Sequence, residues 1–279
     1  MERLKYEHEN VRILASRELF KFGIKMKLKK TPSKKYSPKK RCYKIDLNHL
    51  EDTEVQVGKD VIQVPKVYFK LVEFIKNHLQ VEGVFRKEGS KVKERVLLKM
   101  LDSGYEIPED TDPIVACAVL KVFLRTLPGK LVPHDVVPWF LAAAQLSDHS
   151  ADAVCLCALL LPLRNVYLLV YLMQFFSEVT AHERENKMNA YNLAVVAAPN
   201  LFKDDVGTVE EIARHNAVFI NIVKIFIEKS KSLGQVPACL LDKLDALHEE
   251  HNNATSKGLC RWCPGDKNSH NFLSWIPLI

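Results

Sequence analysis

Apolar residues recur at helical spacing along most of this 279-residue chain. Between residues 66 and 79, five apolar side chains fall on one face of a helix, opposite a face of lysines and a glutamate. The same spacing predicts further helices over 8–24, 91–103, 112–127, 134–146, 150–161, 165–180, 187–196 and 238–249, and a long core helix after Thr208. No alternating strand pattern of comparable length accompanies them. We therefore predict an all-α fold class with a single multi-helix domain.

Polar residues stand where three of these helices are predicted to begin. Ser90 and Asp112 each precede an apolar helical pattern, and Thr208 with Glu211 forms a capping-box pattern. Such side chains accept hydrogen bonds from the backbone N–H groups that a helix start leaves unpaired. The three helix starts are therefore predicted at these residues.

The patterns divide the chain into five segments. We expect an N-terminal amphipathic helix over 1–24 and a basic linker over 25–55. The main domain is expected over 56–235, followed by an accessory helix over 236–249 and a short irregular, divergent tail over 250–279. The length of the chain and its 47% content of hydrophobic residues suffice for a sizeable core.

The positive charge of the chain is concentrated in one segment. Residues 25–44 carry ten Lys/Arg and no Asp/Glu, which leaves 30 basic residues against 34 acidic ones elsewhere. This distribution disfavours a domain that binds nucleic acid over its whole surface and indicates a short basic arm. An anionic membrane or a nuclear import receptor is the expected partner of such an arm. Thr31 and Ser37, each followed by proline, are candidate phosphorylation sites within it.

Cysteine placement and the chain start indicate an intracellular protein. The seven cysteines lie in apolar contexts, as free thiols in a reducing compartment do. The charged N-terminus lacks the apolar core of a signal peptide. The apolar stretch 153–176 is divided by Pro162, so we expect two buried helices rather than a membrane span. The expected location is the cytoplasm, with the nucleus as an alternative.

The last thirty residues contain a fragment of a zinc-site pattern. Cys260, Cys263 and His270 supply three ligands, whereas a structural zinc site needs four. His248 or His251 would have to provide the fourth. We therefore predict no metal site.

One loop presents an arginine between two glycines. The segment VEGVFRKEGS, residues 81–90, places Arg86 between Gly83 and Gly89 and between two predicted helices. Glycine permits backbone turns that other residues resist, and a projecting guanidinium offers a planar, permanently charged fork to phosphate oxygens. Taken alone, the pattern also fits a solvated or salt-bridged arginine.

Two further segments carry polar residues within apolar helices. In AVLKVFLRTLP, Lys121 and Arg125 stand four residues apart and share one helix face. In ENKMNAYNLAVVAAPNL, residues 185–201, Asn192 and Asn200 interrupt an apolar helix and its end. Buried asparagines usually have a hydrogen-bonding task, such as capping or tethering a loop.

In this order and spacing, the three segments resemble the RhoGAP domain, which stimulates GTP hydrolysis on Rho-family GTPases. The resemblance covers about residues 56–235. It implies that Arg86 is the arginine finger, that Lys121 is a structural and GTPase-contacting lysine, and that Arg125 braces the finger loop. It also implies that Asn192 contacts the GTPase near its switch regions. Asn200 matches a second family asparagine, with a structural role favoured over a binding one.

The resemblance also defines what the chain would bind. The expected partner is a GTP-loaded Rho-family GTPase, with a RhoA type favoured. No cofactor is expected in this chain, because GTP and Mg²⁺ would be bound by the GTPase, and no direct small-molecule substrate is expected. The chain would then be an enzyme activator that supplies a catalytic arginine in trans, not an enzyme itself.

One departure from the family pattern lies next to Arg125. The family's LRELPEPL segment reads LRTLPGKLVP here, with Thr126, Gly129 and Lys130 at the usual acidic and proline positions. Two alternatives stay open, one because of this turn and one because of the basic arm. The chain could bind the GTPase with little catalytic effect, or it could associate with nucleic acid or chromatin through the basic arm.

Overall fold

A computed structural model, which describes residues 1–29, 41–202 and 208–246, has the predicted all-α architecture. The helices are α1 (Glu2–Lys21), α2 (Lys66–Lys76), α3 (Lys91–Asp102), α4 (Pro113–Thr126), α5 (Val137–Ala144), α6 (Ser150–Ala158), α7 (Leu163–Ala181), α8 (Glu183–Asn186), α9 (Ala190–Leu201), α10 (Val209–Glu228) and α11 (238–246). A 3₁₀ turn spans Leu47–His49.

The predicted helix starts are confirmed. Ser90 and Asp112 accept hydrogen bonds from backbone N–H groups of α3 and α4, and Thr208 with Glu211 forms a complete capping box on α10. Other boundaries differ from the prediction. A helical segment from Glu2 precedes the predicted one and is separated from it by a kink at Glu7, and α9 continues through Pro199 to Leu201. Pro199 has no N–H, so it cannot donate to the Val195 carbonyl four residues earlier, and the helix continues past it for only two residues.

A short β-hairpin, which the helical analysis did not predict, precedes α2. Strands β1 (Asp52–Val57) and β2 (Asp60–Pro65) pair antiparallel, with Val57 opposite Asp60. Gly58 at the turn has a φ of 60°, a conformation that favours glycine. In each strand only about two apolar residues alternate with polar ones. This pattern is too short to be distinguished from the helical patterns around it.

Among the described helices, α7 contributes the most buried side chains to the core. Twelve of its side chains are buried, and α6 ends at Ala158 just before Pro162 opens α7 at Leu163. The prediction of two buried helices in this apolar stretch is therefore confirmed. Among the described residues, no helix has both the length and the apolarity that a membrane crossing requires.

The N-terminal helix is bound to the core through a basic pair. Arg12 is only 2% exposed, and its Nε donates to the carbonyl of Leu160 at 2.8 Å while another guanidinium nitrogen donates to the carbonyl of Lys29 at 3.1 Å. His8, one turn earlier, donates from Nε2 to the carbonyl of Leu161 at 2.8 Å. The Leu160 and Leu161 carbonyls lie in the turn between α6 and α7. The two side chains therefore tie α1 to that turn.

Both ends of the described chain meet on this side. Lys243 of α11 forms a 2.6 Å ion pair with Glu18 of α1. The residues just after the basic arm are also attached, since the backbone N–H groups of Cys42 and Tyr43 donate to the Asp102 carboxylate at 2.9 and 2.7 Å. The segments outside the helical core of the molecule are thus held to it by specific polar contacts.

Candidate functional site

The loop that carries Arg86 has a fixed backbone. Two backbone N–H groups, those of Arg86 and Lys87, donate to the Gly83 carbonyl at 2.9 and 2.8 Å. Phe85, with a φ of 65°, is the residue immediately before Arg86 and is buried against Phe175 and Phe176 of α7. A positive φ in a bulky residue is sparsely populated, so the surrounding contacts have to hold it. The buried aromatic ring thereby fixes the root of the Arg86 side chain.

The Arg86 side chain itself points to solvent. It is exposed and makes no hydrogen bond or ion pair with any residue of the described ranges. Arginine is otherwise an effective partner for carboxylates, and Glu82 and Glu88 lie in the same loop. Glu82 instead pairs loosely with Lys87 at 3.8 Å. The guanidinium is therefore available to a ligand outside this chain.

Lys121 of α4 holds the loop from below. Its Nζ donates to the Phe85 carbonyl at 2.6 Å. The ammonium is partly buried, and this burial lowers the pKa of Lys121 below its usual value. Cys117, one turn earlier, is buried beside it, and burial raises the pKa of that thiol to about 12. Lys121 is thus a donor already engaged with the backbone that carries Arg86.

Asn186 is a second anchor of the loop, and the sequence analysis did not single it out. It is fully buried, and its amide nitrogen donates to the carbonyls of Leu79 and Val179, both at 2.8 Å. Its side-chain oxygen accepts from the Met188 N–H, and its own carbonyl accepts from Gly83 N–H at 2.9 Å. One asparagine therefore joins the segment after α2, helix α7 and the loop that carries Arg86. Its position in the sequence ENKMN, just before the apolar helix, was the available signal.

The two loop glycines serve different purposes. Gly83 has a φ of 80°, so it supplies a backbone conformation that other residues resist. Gly89 is not among the residues with positive φ, and a Cβ built on it would lie 3.1 Å from a Val115 methyl carbon and 3.3 Å from the Val115 Cα. The expectation that both glycines permit turns is thus wrong for Gly89. Its small size lets the loop lie close to the start of α4.

Arg125 lies one turn beyond Lys121, and its side chain makes no hydrogen bond to the loop that carries Arg86. Its side chain is exposed and forms no hydrogen bond or ion pair within the described part of the chain. Its carbonyl accepts a hydrogen bond from the Lys130 ammonium. The contact to the loop is made by Lys121 alone of these two cations, and the bracing role of Arg125 stays a prediction.

The divergent turn after Arg125 has its own support. Gly129 and Lys130 have φ values of 80° and 60°, and the Asn165 amide donates to the carbonyls of Lys130 and Leu131 at 3.2 and 2.9 Å. Asn165 is buried at the start of α7. The altered LPGK sequence therefore forms a defined turn. None of its residues takes part in the hydrogen bond from Lys121 to the Phe85 carbonyl.

The two asparagines of α9 have different surroundings. Asn192, in the first turn, is half-buried and donates to the Lys187 carbonyl at 3.3 Å. Asn200, near the helix end, is 6% exposed and donates to the Val196 carbonyl at 2.7 Å. The Asn200 bond stays within its own helix, which is the geometry of a structural residue.

Several sequence predictions fall outside the described residues. Thr31 and Ser37 lie in 30–40, and the cysteine and histidine pattern of the tail lies beyond residue 246. Within the described ranges, no group of three or more His, Cys, Asp or Glu side chains is placed to hold a metal ion. The chemistry that the described site offers is therefore that of a free guanidinium on a rigid loop, flanked by polar groups of α4 and α9.

Comparison with known proteins gives one consistent family. A model of the RhoGAP domain matches residues 65–206. Human Rho GTPase-activating protein 11A is 30% identical over 191 residues, which cover 66% of this chain and 18% of that protein. Rho GTPase-activating protein gacY of Dictyostelium discoideum is 32% identical over 173 residues, which cover 60% of this chain and 24% of that protein. Human Rho GTPase-activating protein 28 is 29% identical over 238 residues, which cover 82% of this chain and 32% of that protein. This chain thus spans less than a third of the length of these relatives.

Solved structures show the same fold at lower identity. The crystal structure of human Rho GTPase activating protein 15 superposes with a TM-score of 0.57 at 24% identity, over 61% of this chain and 84% of that one. The BH domain from Graf, the GTPase regulator associated with focal adhesion kinase, gives a TM-score of 0.56 at 23% identity. The match covers 61% of this chain and 97% of that one. These likenesses establish the helical fold and leave the chemistry to be argued from the residues.

Proposed function

This chain belongs to the RhoGAP domain family, and from that premise we propose that it accelerates GTP hydrolysis on a Rho-family GTPase by inserting Arg86 into the nucleotide site. One observation carries the proposal. The backbone on both sides of Arg86 is fixed by hydrogen bonds to Gly83 and from Lys121, while the guanidinium is exposed and has no partner in the described residues.

The chemistry of GTP hydrolysis fits this arrangement. Negative charge spreads over the transferring phosphoryl oxygens, and a small GTPase itself supplies Mg²⁺, a P-loop lysine and a glutamine that orients water. An arginine supplied in trans adds a further cation and raises the rate about 10³- to 10⁵-fold in enzymes of this type. A rigid root lowers the ordering cost, because only the side chain of Arg86, at about 2 kcal/mol or less, has to be immobilised on insertion.

The remaining site residues are assigned to positioning. Lys121 holds the finger loop and borders the GTPase, and Asn192 contacts the GTPase from the exposed start of α9. Arg125 supports the loop once the GTPase is bound, and Asn200 maintains the end of α9. In this proposal the chain holds no cofactor of its own, because GTP and Mg²⁺ are bound by the GTPase.

A single-turnover hydrolysis assay tests the proposal. GTP-loaded GTPases of the Rho, Rac and Cdc types are mixed with excess chain, and release of phosphate is followed. We expect stimulation, strongest for the RhoA type, and its loss in Arg86→Ala. An unstimulated rate on all three GTPases would contradict the activator function.

The same assay separates the alternative of a binding module. The altered turn at Gly129 and Lys130 is the feature that favours this alternative, since it lies next to Arg125. Binding of GTP-loaded GTPase without any acceleration would establish it. The direct bond from Lys121 to the Phe85 carbonyl favours the activator, because the loop is held independently of the turn.

For the basic arm, we propose that it brings the protein to an anionic membrane, with nuclear import as the alternative. Phosphate on Thr31 and Ser37 would each add about −1.5 to −2 charges to a segment with ten cations. Thr31→Glu with Ser37→Glu should weaken partitioning onto anionic liposomes and leave hydrolysis in solution unchanged. Strongly salt-dependent binding to DNA instead would favour a nucleic-acid or chromatin role.

A further inference from the structure

Helix α3 presents a second patterned face, opposite the one that it buries. Glu94, Leu97 and Leu101 are its buried side chains. The solvent side carries a stripe at positions i, i+3, i+4 and i+7, which share one helix face. The stripe consists of Val92, Arg95, Val96 and Lys99, and we refer to it as the α3 stripe.

The α3 stripe is exposed and its charges are unengaged. Val92 is 69% exposed and Val96 is 53% exposed. Arg95 and Lys99 are exposed and form no hydrogen bond or ion pair with any residue that the structure describes. Lys91, by contrast, pairs with Glu94 on the same helix at 3.1 Å. The stripe therefore carries two exposed cations without an ion pair to a described residue, and Lys93, beside the stripe, is a third on the same helix.

The fold does not require valine at these positions. A β-branched side chain loses rotamer freedom in a helix, so exposed valine is less favourable there than alanine or lysine. Two valines one turn apart between two cations form a small apolar contact with a basic border. Arginine is enriched at interfaces, and the two exposed valines add an apolar contact beside Arg95.

The α3 stripe starts next to the finger. Only residues 87–91 separate Arg86 from Val92 in the sequence, and Ser90 among them is the N-cap of α3. From Val92 to Lys99 the helix rises about 10 Å at 1.5 Å per residue. A standard interface covers about 800 Å² on each partner, so one centred on Arg86 has the size needed to include the stripe.

We propose that the α3 stripe is a docking surface for the same GTPase that receives Arg86, and that it fits an acidic surface with an apolar contact beside the nucleotide site. The inference rests on the proposed function. The stripe lies outside the finger loop, so it would contribute to affinity and to the choice of GTPase and not to the chemical step.

Two variants test the stripe separately from the finger. Arg95→Glu with Lys99→Glu reverses its charge, and Val92→Ala with Val96→Ala removes its apolar contact while improving helix propensity. Lys229→Glu with Lys231→Glu is the matched control, because it makes the same charge change on exposed residues at the end of α10 and beyond. Affinity is measured by titration of a RhoA-type GTPase loaded with a non-hydrolysable GTP analogue, and kcat and KM by hydrolysis of GTP.

We expect the charge reversal to raise Kd and KM at least tenfold and to reduce the salt dependence of binding. The alanine pair should raise Kd about three- to tenfold, with kcat of either variant within twofold of the parent. An unchanged Kd for both variants, or the same increase in the control, would overturn the inference. Arg86→Ala, titrated in parallel, should keep its affinity. A parent chain that bound no Rho-type GTPase would overturn the proposed function together with the stripe, whereas intact stimulation with an inert stripe would overturn the stripe alone.

Discussion

Arg86 and Arg12 are the same residue type in opposite settings. Arg12 is 2% exposed, and its guanidinium donates to the Leu160 and Lys29 carbonyls and pairs with Glu9 at 2.8 Å. Arg86 is exposed, and only its backbone is engaged. The Arg12 side chain holds α1 to the core. The Arg86 side chain, in contrast, extends into solvent from a loop whose backbone is held by hydrogen bonds.

This difference separates stability from activity. A buried guanidinium with several acceptors stabilises the fold, because removing it leaves the carbonyl of the buried Leu160 without its donor. An exposed guanidinium without partners contributes little to stability, so it is free to serve a ligand. The two regions should therefore respond to the same substitution in opposite ways.

The largest expected effect is the loss of stimulation in Arg86→Ala. We expect the stimulated rate to fall about 10³-fold, because the added cation of the transition state is missing. The free energy of unfolding should change by less than about 0.5 kcal/mol, as for other exposed sites. Hydrolysis assays and urea unfolding measure the two quantities. Arg17→Ala, which removes a guanidinium from α1, is the control, and an equal loss of rate there would argue against a specific finger.

The next largest effect is expected for Arg12→Ala, which should reduce stability and leave the rate unchanged. It should lower the free energy of unfolding by about 2–4 kcal/mol, because the Leu160 and Lys29 carbonyls lose their donor. At roughly 2–4 °C per kcal/mol, the melting temperature should fall by about 5–15 °C. Below that temperature the rate per folded molecule should match the parent. A stable variant with reduced stimulation would mean that α1 acts on the finger instead of on the fold.

A smaller effect is expected when the support of the finger is removed. Lys121→Met keeps much of the side-chain length but leaves the Phe85 carbonyl without its donor, so the loop loosens. We expect kcat to fall about ten- to a hundredfold, since a displacement of about 1 Å is enough for such a loss. Arg125→Met on the same helix should reduce kcat only about threefold, because its side chain makes no hydrogen bond to the loop here. Equal losses in the two variants would assign bracing to Arg125 in the complex.

The smallest effect concerns the pH dependence of the α1 contact. Burial and the charge of Arg12 lower the pKa of His8 from 6.5 to about 4, against the opposing influence of the Leu161 carbonyl and Glu9. The unfolded chain then binds the proton more readily, so this contribution is complete above pH 6.5 and is lost as the pH falls toward 4. Between pH 7.5 and 5 it amounts to about 2 kcal/mol. Urea unfolding at both values should show the loss in the parent and not in His8→Gln.

Local patterns in the sequence account for most helices and for the glycine-flanked loop that carries Arg86. Apolar residues every three or four positions and the caps Ser90, Asp112 and Thr208 are properties of neighbouring residues, so they were visible without a structure. The order of the three motif segments identified the family, and the family model over residues 65–206 agrees with it. The hairpin at 52–65 was missed because its alternating pattern is short.

The anchors were decided only by the tertiary structure. Lys121 meets the Phe85 carbonyl across 36 residues, Asn186 meets Leu79 across 107, and Arg12 meets Leu160 across 148. The partner in each case is a backbone carbonyl, which every residue carries, so no pairing of residue types in the sequence can indicate it. The sequence by itself placed Arg86 between two glycines and two helices, whereas the packing of the helices decided that the Arg86 side chain is exposed and that Arg12 is buried.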